Sequence, residues 1–434
     1  MKKTFIVVFA LLLALPVLCQ AGSVSSRYDV TFGGFVKMDV GWSSQSNNAD
    51  PAFAARKSGD NYSVFSDEFS NTFMTGGESR FNFLVKGPDL WGAKTTAFIE
   101  GDFRGTTTGN AHGGFQLRHA FMKLQWPGMS ELMIGQNWQQ WGMPYYGAMI
   151  GANDFAYNLK GIRTPQMAFR YFFNKEFNAM FGITSATDWA GATRQQDNYS
   201  RSNWPGLMGE IAYHTDRCGK IGPHNLKFAL GGYYGQERPW SVDDYNIANY
   251  AADRLNTWIA AFRYSVPIIP EKQGNKQMAL LLNGNFFLGQ NAAGNNWMAP
   301  GTSMGSYQRN PANNGDWQAP TLFGLYTQAT WWLTNALQLN GMYGYLRYNY
   351  SQWARGSFDD ATAAGAARRN VISMQQTYAI NLLWDANQAI RFGIQWLTEF
   401  TQYGGKNAVG GTGLGVADGN GQIDQYRFAA WYFF

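Results

Sequence analysis

The sequence predicts an all-β fold, a transmembrane antiparallel β-barrel of about 16 strands with short turns at one end and long loops at the other. Short segments of alternating apolar and polar residues recur along most of the chain, and the last eleven residues are the clearest of them. Aromatic residues make up 16% of the sequence and charged residues only 15%. Because a barrel wall separates lipid from water, its strands need one apolar and one polar face.

The final eleven residues show these two faces directly. Tyr426, Phe428 and Tyr432 fall on one side of an extended chain, and Gln425 and Arg427 fall on the other. About ten residues is the length that a tilted strand needs to cross a bilayer. The chain end therefore predicts a membrane-spanning strand whose aromatic side faces lipid.

The first residues, 1–21, are typical of an export signal. Two lysines precede an apolar run, and small residues precede the expected cleavage site after Ala21. The remaining barrel domain would be 22–434. Cleavage also removes Cys19 and leaves Cys218 alone, so no disulfide framework is expected.

The next alternating segment sets the pattern for the wall. Val36 and Met38 share one face, and Lys37 and Asp39 share the other. Later segments pair into hairpins across turn residues such as Gly, Pro, Asn and Asp, although the phase of the strand around His119 is ambiguous. No apolar run after the leader is long enough for a transmembrane helix.

Counting the alternating segments predicts sixteen strands joined by seven short and eight longer connections. An even strand number with long loops at one end is the organisation of bacterial outer-membrane barrels, and this number of strands encloses an aqueous channel. The predicted strands are 28–42, 80–86, 93–104, 115–126, 132–137, 167–173, 177–185, 207–215, 226–236, 258–266, 278–289, 321–333, 337–348, 372–384, 390–400 and 424–434.

The polar faces carry more basic than acidic residues. Inward-facing bases are predicted at Lys37, Arg80, Lys86, Lys94, Arg104, Arg118, Arg170, Lys227, Arg263, Arg391 and Arg427. Inward-facing acids are predicted at Asp39, Glu100, Asp102, Glu210 and Glu399. Basic groups in a pore favour anions. Any one of these residues could instead belong to a salt bridge of the wall, such as Arg80 or Arg104 with Glu100 or Asp102.

The segment after the fifth predicted strand, 138–163, is aromatic and apolar for an exposed loop, which indicates that it packs against other parts of the protein. Here the chain resembles the trimeric general porins, whose loop at this position folds into the lumen. The resemblance implies an inward-folded third loop, a homotrimer, and pore-lining roles for Asn153, Asp154 and Lys160. The alternative is that the loop covers the rim or a subunit contact.

A narrower resemblance covers about the first third of the chain. The segments GGFVKMDV (33–40), GESRFNF (77–83), IEGDF (99–103), LRHAF (117–121) and IGQNW (134–138) resemble DcaP-like porins and the major porins of sulfate-reducing bacteria. This resemblance implies transport of small dicarboxylates or other anions. Only a few residues separate Gly22 from the first predicted strand, so we do not expect the long amino-terminal coiled coil of some members.

These observations favour a passive diffusion channel of the Gram-negative outer membrane, surrounded by lipid and lipopolysaccharide, for small hydrophilic solutes with anion preference. The alternatives are a substrate-specific channel for dicarboxylates or inorganic anions, and, from other classes, a barrel hydrolase or a surface adhesin. We expect no enzyme activity, cofactor, metal or nucleic-acid partner: the four histidines lack metal-ligand spacing, and the glycines of 410–415 precede a strand rather than a helix.

Overall fold

The computed structural model describes residues 28–45, 55, 70–105, 113–151, 163–185, 205–237, 255–291, 308–310, 316–318, 320–349, 372–403 and 420–434. In these ranges every regular element is a β-strand. The strands are β1 Asp29–Ser43, β2 Asn71–Thr75, β3 Arg80–Lys86, β4 Lys94–Gly105, β5 Gly114–Trp126, β6 Ser130–Trp138, β7 Arg163–Phe172, β8 Phe177–Thr184, β9 Gly206–Ile221, β10 His224–Glu237, β11 Leu255–Ile269, β12 Leu280–Gln290, β13 Gln308–Asn310, β14 Asp316–Gln318, β15 Thr321–Trp332, β16 Leu337–Asn349, β17 Ile372–Asp385, β18 Ile390–Tyr403 and β19 Asn420–Phe433.

The sheet closes on itself as an antiparallel barrel. One edge of β1 pairs with the last strand, β19, in a register that runs from Phe35 opposite Phe433 to Ser43 opposite Gln425. The other edge of β1 pairs with both β2 and β3, which are two parts of one interrupted wall strand. The wall therefore has 16 strands, and β13 and β14 form a separate two-stranded sheet. The predicted strand number is confirmed.

The connections fall into two groups at opposite ends of the barrel. Seven short ones define what we call the short-turn end: 87–93, 127–129, 173–176, 222–223, 270–279, 333–336 and 386–389. The other eight define the long-loop end: 44–70, 106–113, 139–162, 185–205, 238–254, 291–320, 350–371 and 404–419. The third of these, 139–162, is called loop 3 below.

The two faces of the wall differ as the alternation predicts. Outside, Val36 is 57% exposed and Tyr426 54%, whereas Lys37 and Arg427, their neighbours on the inner face, are each 3% exposed. An apolar outer surface around a polar interior is the arrangement of a membrane-spanning barrel. No helix in the described ranges is long and apolar enough to cross a membrane.

The wall is interrupted at 76–79, between β2 and β3. There the Ser79 hydroxyl accepts a hydrogen bond from the Lys37 amide at 3.0 Å and donates one to the Lys37 carbonyl at 3.2 Å, replacing the missing strand partner. The irregular segment turns Glu78 towards Lys37 inside the barrel. This residue could not be assigned a face from the sequence, because the alternation stops before it.

Substituting Ser79→Ala should destabilise the barrel by about 1–3 kcal/mol, because both backbone groups of Lys37 lose their partner in a part-buried place. Urea unfolding of the protein in lipid vesicles measures this change. Thr95→Ala is the control, since the Thr95 hydroxyl donates to the Pro88 carbonyl at an exposed turn. Equal losses for the two variants would contradict the role given to Ser79.

A second irregularity lies in β5. The register with β4 shifts between Glu100 and Gly101, so that Glu100 faces His119 and Gly101 faces Leu117, leaving Arg118 as the extra residue. Such a bulge lets two consecutive side chains share one face of the sheet. Arg118 and His119 are accordingly both buried, at 6% and 7% exposed. The bulge explains why the phase of this strand was ambiguous in the sequence.

Candidate pore lining and constriction

Loop 3 enters the lumen as soon as β6 ends. The amide of Gly142 donates to Glu210 Oε2 at 3.1 Å, and Asn285 Nδ2 donates to the Gly142 carbonyl at 2.9 Å. Arg263 Nη1 donates to the Met143 carbonyl at 3.1 Å. These three wall residues lie on β9, β11 and β12, so the loop first follows that side of the barrel interior.

Farther along, loop 3 is held by neutral amide side chains. The Ala148 amide donates to Gln328 Oε1 at 3.0 Å, and Asn381 Nδ2 donates to the Ala148 carbonyl at 2.8 Å. Gln395 accepts from the Ile150 amide at 2.6 Å and donates to its carbonyl at 2.8 Å. The loop backbone is thus attached to β15, β17 and β18 on the far side of the barrel.

Aromatic packing adds to these hydrogen bonds. The Tyr146 ring lies 4.6 Å from the His224 ring and 6.4 Å from the Trp332 ring, between centroids. Its hydroxyl donates to Gln338 Oε1 at 3.4 Å, and burial raises the pKa of the phenol. Residues 139–151 lie inside the barrel, which confirms the predicted inward fold of the third loop for this part. The alternative that the loop covers the rim does not hold for these residues.

A network of charges lines the wall formed by β1 to β4 and β19. Lys37 pairs with Asp39 at 3.0 Å and also with Glu78, and Arg104 pairs with Glu78 at 2.7 Å. Arg427 lies 3.8 Å from Asp39. In the alternative of wall salt bridges, Arg104 would pair with Glu100 or Asp102. Its guanidinium contacts Glu78 instead, because the interruption of the wall places that carboxylate within reach.

The bulge in β5 builds a second part of this network. Arg118 Nε lies 2.9 Å from Glu100 Oε1, and Arg118 Nη1 contacts Asp102, whose side chain is fully buried. Arg80 approaches Glu100 at 3.9 Å, as the salt-bridge alternative expected. Arg163 lies over the Trp138 ring at 5.0 Å from its centroid. Arg80 and Arg118 thus share the carboxylate of Glu100, and positive groups lie beside the acids of this wall.

A separate basic cluster lies on the other side of the lumen. Arg263 contacts Glu210 Oε1, and Arg170 lies 3.8 Å from the same oxygen. The Tyr145 ring of loop 3 lies 4.3 Å from the Arg263 guanidinium and 5.3 Å from the Lys227 ammonium. Burial raises the pKa of Tyr145, so its phenol stays neutral beside these cations. The single carboxylate of Glu210 can neutralise only part of the positive charge of Arg170, Arg263 and Lys227.

The remaining predicted site residues lie in other places. Lys86 and Lys94 lie at the short-turn end and pair with the exposed Asp29 and Asp89. Arg391 pairs with Asp385 at 2.5 Å, also near that end. Glu399 is buried and accepts hydrogen bonds from Gln375, Thr377 and Thr401. Asn153, Asp154 and Lys160 lie outside the described residues, as does residue 22 after the expected signal cleavage.

The interior also contains charged groups that the sequence patterns did not assign to it. They are Glu78, Lys123, Glu131, Arg163 and Asp385. Lys123 and Glu131 pair with each other at 3.0 Å across β5 and β6. Because three of these five are acids, the surplus of positive charge is smaller than the sequence alone indicated. In the described ranges, no three His, Cys, Asp or Glu side chains group closely enough to hold a metal.

Comparisons with known proteins rest on structure alone, because no family model and no curated protein sequence matches. The outer-membrane channel DcaP of Acinetobacter baumannii is similar with a TM-score of 0.66 and 15% identity, over 94% of this chain and 99% of that one. An anion-selective porin from Comamonas acidovorans is similar with a TM-score of 0.54 and 14% identity, over 94% and 100%. OmpF of Salmonella typhi follows at 0.52 and 11%, over 94% and 98%.

These likenesses cover nearly the whole of each chain, and the sequences differ at most positions. They therefore establish a shared fold and not a shared solute. The chain has the fold of the Gram-negative outer-membrane porins, a closed 16-stranded antiparallel β-barrel.

Proposed function

We propose that this protein is an outer-membrane porin through which small hydrophilic solutes diffuse passively, with a preference for anions. The observation that carries the proposal is the arrangement of loop 3 and of the charged wall residues inside the barrel. Loop 3 is attached to strands from β7 to β18 and packs on Ala429 of β19, and charged side chains line the remaining wall from β1 to β5. A closed 16-stranded barrel encloses a water-filled lumen, and a loop attached to its inner wall narrows that lumen.

The anion preference is supported by the distribution of charge. Arg170 and Arg263 share the single carboxylate of Glu210, and three cations, Arg80, Arg118 and Arg163, lie around the two acids Glu100 and Asp102. Where cations outnumber acids, the local potential attracts anions, and salt screens that attraction over a distance of about 8–10 Å. The neighbour from Comamonas acidovorans is an anion-selective porin by name, which is in keeping with this proposal.

The zero-current potential tests both parts of the proposal. Purified protein in a planar bilayer under a potassium chloride gradient should conduct, and the potential should have the sign of chloride preference. The preference should weaken as the salt concentration rises. Conductance with a potassium-favouring potential would overturn the anion preference, and the absence of conductance would overturn the channel.

Assembly as a homotrimer is part of the same proposal. Outward-facing phenylalanines cluster on β3 to β5, where Phe81 stacks on Phe115 with ring centroids 5.4 Å apart and Phe103 packs beside both. Such a face suits a neighbouring barrel as well as lipid. Chemical cross-linking in mild detergent should yield a three-chain species. A cross-linked product no larger than a dimer would contradict the trimer.

Export through a cleaved signal also remains a prediction. The mature protein should begin at Gly22, and its intact mass measures this directly.

The hydrolase and adhesin alternatives find no support in the described part of the chain. The loop segments suggested for adhesion lie mostly outside it.

A further inference from the structure

Two turns at the short-turn end of the barrel are joined to each other. The strand β9 pairs with β8 as far as Tyr213 and then runs on alone to Ile221. The Glu271 amide donates to the Lys220 carbonyl at 2.9 Å, and Glu271 Oε2 accepts a hydrogen bond from the Gly222 amide at 2.6 Å. The turn after β7 lies beside them. We call residues 173–176, 216–223 and 270–278 the turn platform.

The turn platform is held in one shape by packing and by backbone hydrogen bonds. Ile221 is fully buried against Leu281 and Trp332, which lie on the inner face of the wall. Lys272 and Asn275 exchange two backbone hydrogen bonds of 3.0 and 2.9 Å across the tip of the last turn. A surface that is already ordered loses little conformational entropy when a partner binds to it.

The lysines of the turn platform have no acidic partner. Lys175, Lys220 and Lys272 are exposed, and Lys276 is half-buried. None of the four makes an ion pair with a carboxylate of the described ranges, where the one ion pair of the platform joins Arg217 to Glu176. Four ammonium groups on neighbouring turns are therefore available to an external partner.

The acids of the turn platform are already engaged within it. Glu271 accepts the Gly222 amide, as described above, and Glu176 Oε1 accepts from the Thr215 hydroxyl at 2.6 Å as well as from Arg217. Asp216 accepts from the Asn225 amide at 2.6 Å. The platform has five basic and three acidic side chains, and the basic ones include all four unpaired lysines.

Lysines elsewhere at the short-turn end are paired. Lys86 lies 3.1 Å from Asp29, and Lys94 lies 2.7 Å from Asp89. Lys123 pairs with Glu131 at 3.0 Å. In the described part of the chain, the unpaired lysines of this end are thus confined to the sector from β7 to β12. Such a one-sided distribution indicates a surface that complements negative charge on a partner.

The position of the turn platform favours a protein partner over lipid head groups. Because Ile221 packs on the inner face of the wall, the tip of the β9–β10 turn leans over the lumen and away from the surrounding lipid. Short turns of outer-membrane barrels face the periplasm. Met278, which is 50% exposed, adds an apolar contact of the kind that is enriched in protein interfaces.

We propose that the turn platform is a docking surface for an acidic segment of a periplasmic protein. Carboxylates of that segment would pair with Lys220 and Lys272 and with the other two lysines beside them. The inference goes beyond the proposed channel, since it requires the orientation of the barrel in the membrane but no transport. Charge attraction would speed the encounter, and the complex would weaken as the salt concentration rises.

The test measures fluorescence anisotropy of a labelled oligoglutamate peptide with the protein in phosphatidylcholine nanodiscs. The double variant Lys220→Gln with Lys272→Gln should raise the Kd about tenfold, because two exposed ion pairs are lost. The matched control is Lys86→Gln with Lys94→Gln, which removes the same charge at the same end from lysines that are already paired. Any binding of the peptide inside the lumen is common to both variants, so the control should change the Kd much less.

Equal losses in the two double variants, or no binding of oligoglutamate by the unchanged protein, would overturn the docking surface. Polygalacturonate provides a second comparison. If this acidic polysaccharide binds more tightly than oligoglutamate and depends on the same two lysines, the partner is a polysaccharide and the assignment to a protein is wrong. Because anisotropy requires no current, failure of this inference leaves the channel proposal standing, and a protein that does not conduct could still show the docking surface.

Discussion

Replacing Asn381 and Gln395 together with alanine is expected to increase the single-channel conductance and to admit larger neutral solutes. The two side chains make three hydrogen bonds to the loop backbone, at Ala148 and Ile150. Each such bond contributes about 0.5–1.5 kcal/mol, so their loss should raise the population of detached loop by about tenfold or more. Conductance traces and the uptake of neutral sugars of increasing size by proteoliposomes measure the effect.

A matched control for this variant is Gln116→Ala on the facing wall. The Gln116 amide donates to Asp102 at 2.6 Å and does not hold loop 3. Its loss should leave the size limit unchanged. If the double variant shows the conductance and size limit of the unchanged protein, residues 148–150 do not form the constriction.

The largest loss of stability is expected for Arg118→Ala. This guanidinium is the only one in the described ranges that contacts Asp102 in an ion pair, and the Asp102 side chain is fully buried. It also pairs with Glu100 at 2.9 Å. Removing one partner of a buried ion pair typically costs about 3–5 kcal/mol, because the other charge then has no opposite charge in contact with it. Urea unfolding in lipid vesicles measures this cost.

Lys94→Ala is the control for Arg118→Ala. Lys94 pairs with Asp89 at 2.7 Å, but their side chains are 66% and 54% exposed. Exposed pairs of this kind contribute about 0–1 kcal/mol. Similar losses in the two variants would mean that water reaches Asp102 and that the wall network is not buried. Conductance should also become less anion-selective in Arg118→Ala alone, since it removes a cation from the lumen wall.

The strands of the wall could be predicted because the alternation of apolar and polar residues can be seen within each segment. Each strand alternates between lipid and lumen, so the side of Tyr426 or Arg427 follows from position within its own segment. The same reasoning assigns Lys37 and Asp39 to the polar face, and both residues are buried in the structure. Turn residues then divided the segments into hairpins, which is sufficient for the strand number.

The details of the interior depend on interruptions and on distant partners. Glu78 lies in the break between β2 and β3, and the bulge at Arg118 and His119 places neighbours on one face, so strict alternation fails at both places. The attachment of loop 3 involves Gln328 and Gln395, whose partners are separated from them by 180 and 245 positions. No local pattern relates an amide on one strand to a backbone group so far away.

The closure between β1 and β19 has a consequence for the order of assembly. The residues that complete the wall, around Val36 and Tyr432, come from opposite ends of the chain. Pairing β1 with β19 closes a loop that contains nearly the whole chain, and the entropic cost of closing a loop rises with its length. The strands between them must therefore already be paired when β1 and β19 meet. Until that step, β1 and β18 present unpaired edges that can capture other chains. The barrel should therefore form as a growing sheet of hairpins whose slowest and most aggregation-prone stage precedes the docking of the final aromatic strand.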